Sequence, residues 1–211
     1  MRVVVTRARE EAGELAARLE ALGHEVEICP LIEIEPVGPE EIDVSGYDWV
    51  VVTSANGARE LGQRMRGRPG RIAAIGPRTA AALPEKPDLV PSVSTQEGLL
   101  ADLPRPAGRV LFAGAEGARR LLADELRADF VPLYKTTELR PSDFPSADLV
   151  VLASPSAAHA YAALGQSAPA VSIGPQTTEA ARATGVEIVA EAKTHDLDGL
   201  AAAVVTAAAC A

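Results

Sequence analysis

The sequence predicts an α/β protein built as two similar parallel-sheet domains. Short runs of β-branched residues alternate with helical patterns, an order that gives parallel sheets with right-handed crossovers. The blocks also repeat. VVVTRAREE at 3–11 is answered by VLFAGAEGARR at 110–120, and WVVVTSANG at 49–57 by LVVLASPSA at 149–157. IAAIGPRTAAAL at 72–83 is answered by AVSIGPQTTEAA at 170–181, and TQEGLLADL at 95–103 by DLDGLAAAV at 196–204. The offsets lie between 98 and 107 residues and the order is kept, so the repeat is half the chain and too long for a solenoid unit. A chain of 211 residues suits one large domain or two small ones, and the duplication decides for two. Five strands per half suit a doubly wound, flavodoxin-like sheet.

The elements follow the same local rules. The first strand, VVV at 3–5, is continuously apolar, as a strand covered on both faces must be. In the helix after it, Ala12, Leu15, Ala16, Leu19 and Leu22 recur at helical spacing, and Gly23 stands where a C-cap glycine belongs. PLIEIEP at 30–36 breaks the pattern with polar–apolar alternation bounded by proline, and PLYKTTELRP at 132–141 does the same in the second half. Such alternation indicates strands with one exposed face. They pair as a ladder between the halves, or each is an ordinary edge strand and loop. WVVV, IAAI, VLFAG, LVVL and AVSI are the remaining strand cores, each ending in a small polar or glycine turn that opens a helix.

Composition excludes several classes. Apolar residues at 47% and charged residues at 23% rule out a disordered or collagen-like chain. A net charge of −9 argues against a nucleic-acid partner, which calls for a basic footprint. No apolar run approaches the ~18 residues of a membrane helix, and MRVVVTRAREE turns charged too soon for a signal peptide. Cys29 and Cys210 lie far apart with no CxxC or zinc spacing, so the expectation is a reduced, cytoplasmic protein with one buried thiol and one tail thiol. His24, His159 and His195 form no metal motif, and GxGxxG, Walker A and GxSxG sequences are absent. Neither a metal nor a cofactor is signalled.

Ligands of open parallel sheets sit beyond the carboxyl ends of the strands. The turns there are Thr6-Arg7, Thr53 to Gly57, Gly76 to Thr79, Gly114 to Gly117, Ser154-Pro155-Ser156 and Gly174 to Thr178. In the two IGPxT turns glycine permits close approach, and proline suits the first helical position, where no N–H is needed. The residues that follow offer backbone N–H groups at the positive helix end. Six such starts form a neutral, strongly polarised cradle for an anion. The competing role for each Ser and Thr is helix capping alone.

These motifs, in this order and over nearly the whole chain, resemble the uroporphyrinogen-III synthase family. VTRAREEAGELAARLEALGHEVEICPLIEIEP is similar to its opening, with Ala8 where proline is usual. DWVVVTSANGARE, the paired IGPRTA and IGPQTT segments, YKTTE, LASPSAA and DGLAAAV fall in the expected sequence. The resemblance implies domains at 1–32 with 138–211 and at 36–133, joined through linkers 31–36 and 133–140 that pair as a two-stranded ladder. It also implies an interdomain cleft, a hinge and a monomer. The implied substrate is the linear tetrapyrrole hydroxymethylbilane, cyclised with inversion of its last ring and loss of water. It carries over substrate contacts at Thr53, Ser54, Thr79, Ser154, Ser156, Thr177 and Thr178. Arg7 and Arg78 are added as cations near helix starts. The family has a tyrosine on the helix after the SPS segment that helps the hydroxyl leave. Tyr161 is the nearest candidate, one residue further along, which turns it by about 100° on a helix; the competing role is that of a partly buried packing residue. The alternative is a non-catalytic bilobal binding protein for a polycarboxylate.

Overall fold

The computed structural model describes residues 1–209, so the tail thiol expected at Cys210 lies outside the described residues. In chain order the first elements are β1 (Arg2–Val5), α1 (Arg9–Ala21), β2 (Glu25–Ile28), β3 (Ile32–Pro36), β4 (Ile42–Asp43) and β5 (Trp49–Val52). Then come α2 (Ala55–Arg64), β6 (Met65–Arg66), β7 (Arg71–Ala74), α3 (Pro77–Ala81), α4 (Gln96–Asp102), β8 (Val110–Ala115) and α5 (Leu121–Leu126). The remaining elements are β9 (Asp129–Glu138), β10 (Leu149–Leu152), α6 (Pro155–Ala163), β11 (Ala170–Ser172), α7 (Pro175–Ala183), β12 (Ile188–Glu191) and α8 (Leu197–Ala208).

Two compact units result. One comprises Met1–Ile34 with Thr137 onward, the other Glu35–Thr136. The first holds a five-stranded sheet in the order β12-β11-β10-β1-β2, parallel throughout. Its β1 alternates across the sheet: Val3 and Val5 face Leu15, Leu19, Leu200 and Val204, while Val4 faces Leu31, Tyr161 and Ala181. Every residue of LVVL in β10 is buried, as expected for a strand covered on both sides.

The second unit has the parallel order β9-β8-β5-β7. The fifth strand of this sheet is β3, at the β9 edge, and no further strand forms beyond β7 among the described residues. Leu89 makes only a single parallel bridge to Ala73, because Pro84, Pro87 and Pro91 leave too short a stretch with free backbone donors. Trp49, Val51, Phe112, Leu99 and Leu122 form one core of this unit.

The alternating segments are strands. β3 lies beside β9, with Val37 N–H donating to the Leu133 carbonyl and Leu139 N–H to that of Leu31. As one strand rises the other falls, so the pair is antiparallel. The division between the units falls at 34/35 and 136/137, inside these two strands.

The end of α1 follows the sequence reading. Gly23 at φ +84° donates to Glu20 and His24 N–H reaches back to Leu19, which closes a Schellman turn. Gly185 ends α7 in the same way. Leu22 departs from expectation: at the C-cap it has left the helical face and is 52% exposed. The block at 110–120 departs further. β8 continues through Ala115, a turn follows, and α5 begins only at Leu121. No Ser, Thr, Asp or Asn stands between Gly114 and Arg120 to cap an earlier start.

Candidate anion-binding edge

In the second unit the turn after β5 carries Thr53 and Ser54, both half-buried. Ser54 is the N-cap of α2. Its Oγ accepts the Gly57 N–H at 2.9 Å and the Tyr134 hydroxyl at 2.9 Å. Amides at the first two helical positions, Ala55 and Asn56, stay outside the helical ladder. The turn after β7 leads through Gly76 and Pro77 into α3. Thr79 is 4% exposed there, and Arg78 projects into solvent with no ion pair among the described residues. Gly76 has extended backbone, φ −173°, so its role is space: a Cβ would lie 2.6 Å from Ser94 Oγ.

The first unit repeats this arrangement with different detail. Ser154 caps α6 by accepting the Ala157 N–H at 3.1 Å, and Ser156 occupies the second helical position, half-buried. Gly174 and Pro175 open α7, and a Cβ on Gly174 would lie 2.8 Å from the His195 ring. Ser94 and His195 therefore cover equivalent helix starts. Thr177 is 3% exposed, and its N–H closes a tight turn onto the Gly174 carbonyl.

Three expected site residues are otherwise engaged. Thr178 donates its one hydroxyl proton to Glu191, so Ser172, 2.5 Å away, must donate to Thr178. The Thr178 hydroxyl joins β11, β12 and α7 and offers no donor to a ligand. Arg7 is 7% exposed and pairs with Glu11 at 2.7 Å, which neutralises it at the start of α1. Tyr161 is fully buried. Its hydroxyl donates to the Ala168 carbonyl at 2.8 Å and its ring packs on Phe144, so its one proton is engaged within the core. Burial pushes its pKa above the ordinary tyrosine value. The sixth expected turn, Gly114 to Gly117, opens no helix and adds no N-terminus.

Elsewhere in the first unit a cavity of about 650 Å³ lies beside the end of β2, lined by Arg9, Cys29, Glu33, Arg140 and Asp143 among others. Burial raises the Cys29 pKa, which keeps the thiol protonated. Among the described residues no group of three His, Cys, Asp or Glu could hold a metal ion, and no helix is long and apolar enough to cross a membrane.

Sequence reasoning passes over Tyr134 and Ser94, and weighs His195 only as a metal ligand. YKTTE reads as a strand, and the partner of its tyrosine lies 80 residues away. Ser94 and His195 each stand directly before a helix cap, Thr95 and Asp196, a repeated placement visible once the blocks are aligned.

Fold and edge together define a parallel α/β protein whose strands lead into serine-capped and IGP helix starts. The chain matches the family described as uroporphyrinogen-III synthase HemD over residues 13–202, and it belongs to that family. It is similar to the uroporphyrinogen-III synthase of Synechococcus elongatus, 30% identical over 174 residues, covering 71% of this chain and 65% of that protein. It is also similar to the porphyrin biosynthesis protein HemD of Ruminiclostridium josui, 27% identical over 92% of this chain and 46% of the relative. The chain thus spans less than two thirds of the length of these curated relatives. Its fold resembles that of a mutant uroporphyrinogen III synthase from the extreme thermophile Thermus thermophilus, with a TM-score of 0.64 at 18% identity and full coverage of both chains.

Proposed function

We propose that this chain cyclises hydroxymethylbilane to uroporphyrinogen III. The pyrrole nitrogen of the hydroxymethyl ring pushes out hydroxide, which takes up a proton and leaves as water. The azafulvene so formed is attacked by the substituted α-carbon of the terminal ring, giving a spiro intermediate. That intermediate breaks its older bond to the bridging carbon and recloses at the free α-carbon, which inverts the ring. Loss of a proton restores the pyrrole, and the net change is loss of one water.

The chain's task is to orient. The substrate's carboxylates are held by the helix starts at Ser54, Thr79, Ser154 and Thr177, with Thr53 and Ser156 as added hydroxyl donors and Arg78 as a mobile cation. Positioning of this kind lowers a barrier by several kcal/mol without a strong acid. Arg7 and Thr178 support the edge from behind, and Tyr161 takes no part. We read the two units as products of an internal duplication, with linker strands at 31–36 and 133–140.

The observation that supports this reading most is the pairing, within a chain of this family, of two serine-capped and two IGP helix starts at the carboxyl ends of parallel strands. Fresh hydroxymethylbilane supplied to the protein, followed by oxidation and separation of uroporphyrin isomers, is the test. The inverted isomer is expected to dominate. A binder without chemistry leaves the substrate to close spontaneously to the uninverted isomer, and that outcome sinks the proposal.

A further inference from the structure

We infer that Tyr134 is a positioning residue that fixes Ser54 as a hydrogen-bond donor toward a substrate carboxylate. This rests on the proposed function and adds a residue to it. A serine oxygen has two lone pairs and one proton. At Ser54 both lone pairs are taken, one by the Gly57 N–H at 2.9 Å and one by the Tyr134 hydroxyl at 2.9 Å. The only remaining direction carries the proton, and Ser54 donates it to no described residue. Ser54 can therefore only give a hydrogen bond, and it gives one at the end of β5 where the helix-start amides of Ala55 and Asn56 stand. A site of that kind takes an anion and rejects a donor.

The tyrosine is well held for this task. It is 7% exposed on β9, between strands whose register is set by the parallel β8 pairing and the antiparallel β3 pairing. Its ring is buried, so its hydroxyl sweeps little. The equivalent serine in the other unit lacks this partner. Among the described residues Ser154 accepts only the Ala157 N–H, and the position matching Tyr134 in the repeat is Ile32. One lone pair of Ser154 stays open, so it can give or take a bond. The two halves thus differ in chemistry at matching caps: one is fixed as a donor and the other is adaptable. An asymmetric substrate bound in one orientation needs such a difference.

The test is a double-mutant cycle on the full chain with hydroxymethylbilane. Tyr134→Phe keeps the ring and is expected to raise KM about three- to tenfold, the scale of one hydrogen bond, with kcat changed less than about twofold. In a Ser54→Ala background the same change is expected to have no further effect on KM, because the inferred role of the tyrosine runs through that serine. Unchanged KM in Tyr134→Phe overturns the inference while wild-type turnover stands. So does an effect that persists fully without Ser54. Should Tyr134→Phe fail to fold, Ser54→Ala and Ser154→Ala are compared directly: both lose a cap, and the larger KM rise is expected at Ser54. Equal rises overturn the asymmetry. A wild type that neither turns over hydroxymethylbilane nor binds the stable octacarboxylate uroporphyrin III removes the functional reading, and this one with it.

Discussion

Tyr161 illustrates what a single residue can and cannot reveal. Its place after the SPS segment suggests a proton donor, yet its hydroxyl is bonded to Ala168 and its surface is fully buried. Tyr161→Phe is therefore expected to leave turnover unchanged and to cost about 1 kcal/mol of stability, read from urea unfolding. The pH dependence has a definite sign. The folded-state pKa is raised above 10.0, so the proton is held more tightly in the native state than in the unfolded chain. The associated stability is complete below pH 10.0 and is lost as pH rises through the folded value. The loss of stability as pH rises above 10.0 should accordingly be smaller in Tyr161→Phe than in the parent, read from urea unfolding at several pH values. Ser54 and Ser154 illustrate the reverse: capping and binding are rival roles in the sequence, yet capping leaves the hydroxyl proton unused. Each accepts an amide with a lone pair and keeps a proton to donate.

Among elements, the helix starts are held by contacts that no local pattern announces. Arg64, at the end of α2, donates to the Val37 carbonyl at 2.6 Å, to the Leu133 carbonyl and to Glu60 at 2.7 Å. It ties the helix that begins at Ser54 to the start of the β3–β9 ladder. Arg64→Ala leaves the Val37 carbonyl and Glu60 without this donor, and the Leu133 carbonyl with the Val37 N–H alone, in a mostly buried place; it is expected to cost about 2–4 kcal/mol, measured by thermal or urea unfolding. Gly98 and Gly199 have a related role. Each is the third residue of its helix and gives its N–H to the cap, Thr95 or Asp196. A Cβ there would run into a backbone carbonyl oxygen, that of Val93 in one case and of Thr194 in the other. Gly199→Ala should destabilise the chain by about 1–3 kcal/mol, as crowding against fixed backbone does. The repeated glycine is plain in the sequence, but its reason is not, since the oxygen it clears belongs to the loop before the cap. Helix α5 starts later than its sequence suggests for the same kind of reason. The strand before it runs on because β9 extends beside it, and pairing outweighs the glycines.

For the whole molecule, the net charge of −9 sets a sign for salt dependence. At long range an acidic chain repels a polycarboxylate, while helix starts attract only within the first turn. Added salt screens the long-range term first. We therefore expect kcat/KM for hydroxymethylbilane to rise modestly as salt increases from about 20 mM to about 150 mM, where the Debye length nears 8 Å. A steep fall instead would mean that clustered cations govern binding. The repetition of blocks and the alternation of strands with helices can be read at this scale before any coordinates. The weak edge beyond β7 cannot, although the prolines that cause it are in plain view, because a strand's survival depends on how many donors remain once its neighbour is chosen.

The amino-acid sequence by itself determined the α/β alternation, the two-fold repetition, the serine and IGP helix starts and the family. These rest on period, spacing and the stereochemistry of Gly and Pro, which act over a few residues. Only the tertiary structure decided that PLIEIEP pairs with PLYKTTELRP, that Thr178, Arg7 and Tyr161 are engaged within the protein, and that Tyr134 bonds to Ser54. A hydroxyl or guanidinium has few bonding directions, and whether they are free depends on partners brought close from elsewhere in the chain. Pattern reveals where a donor stands, and packing decides what it can still bind.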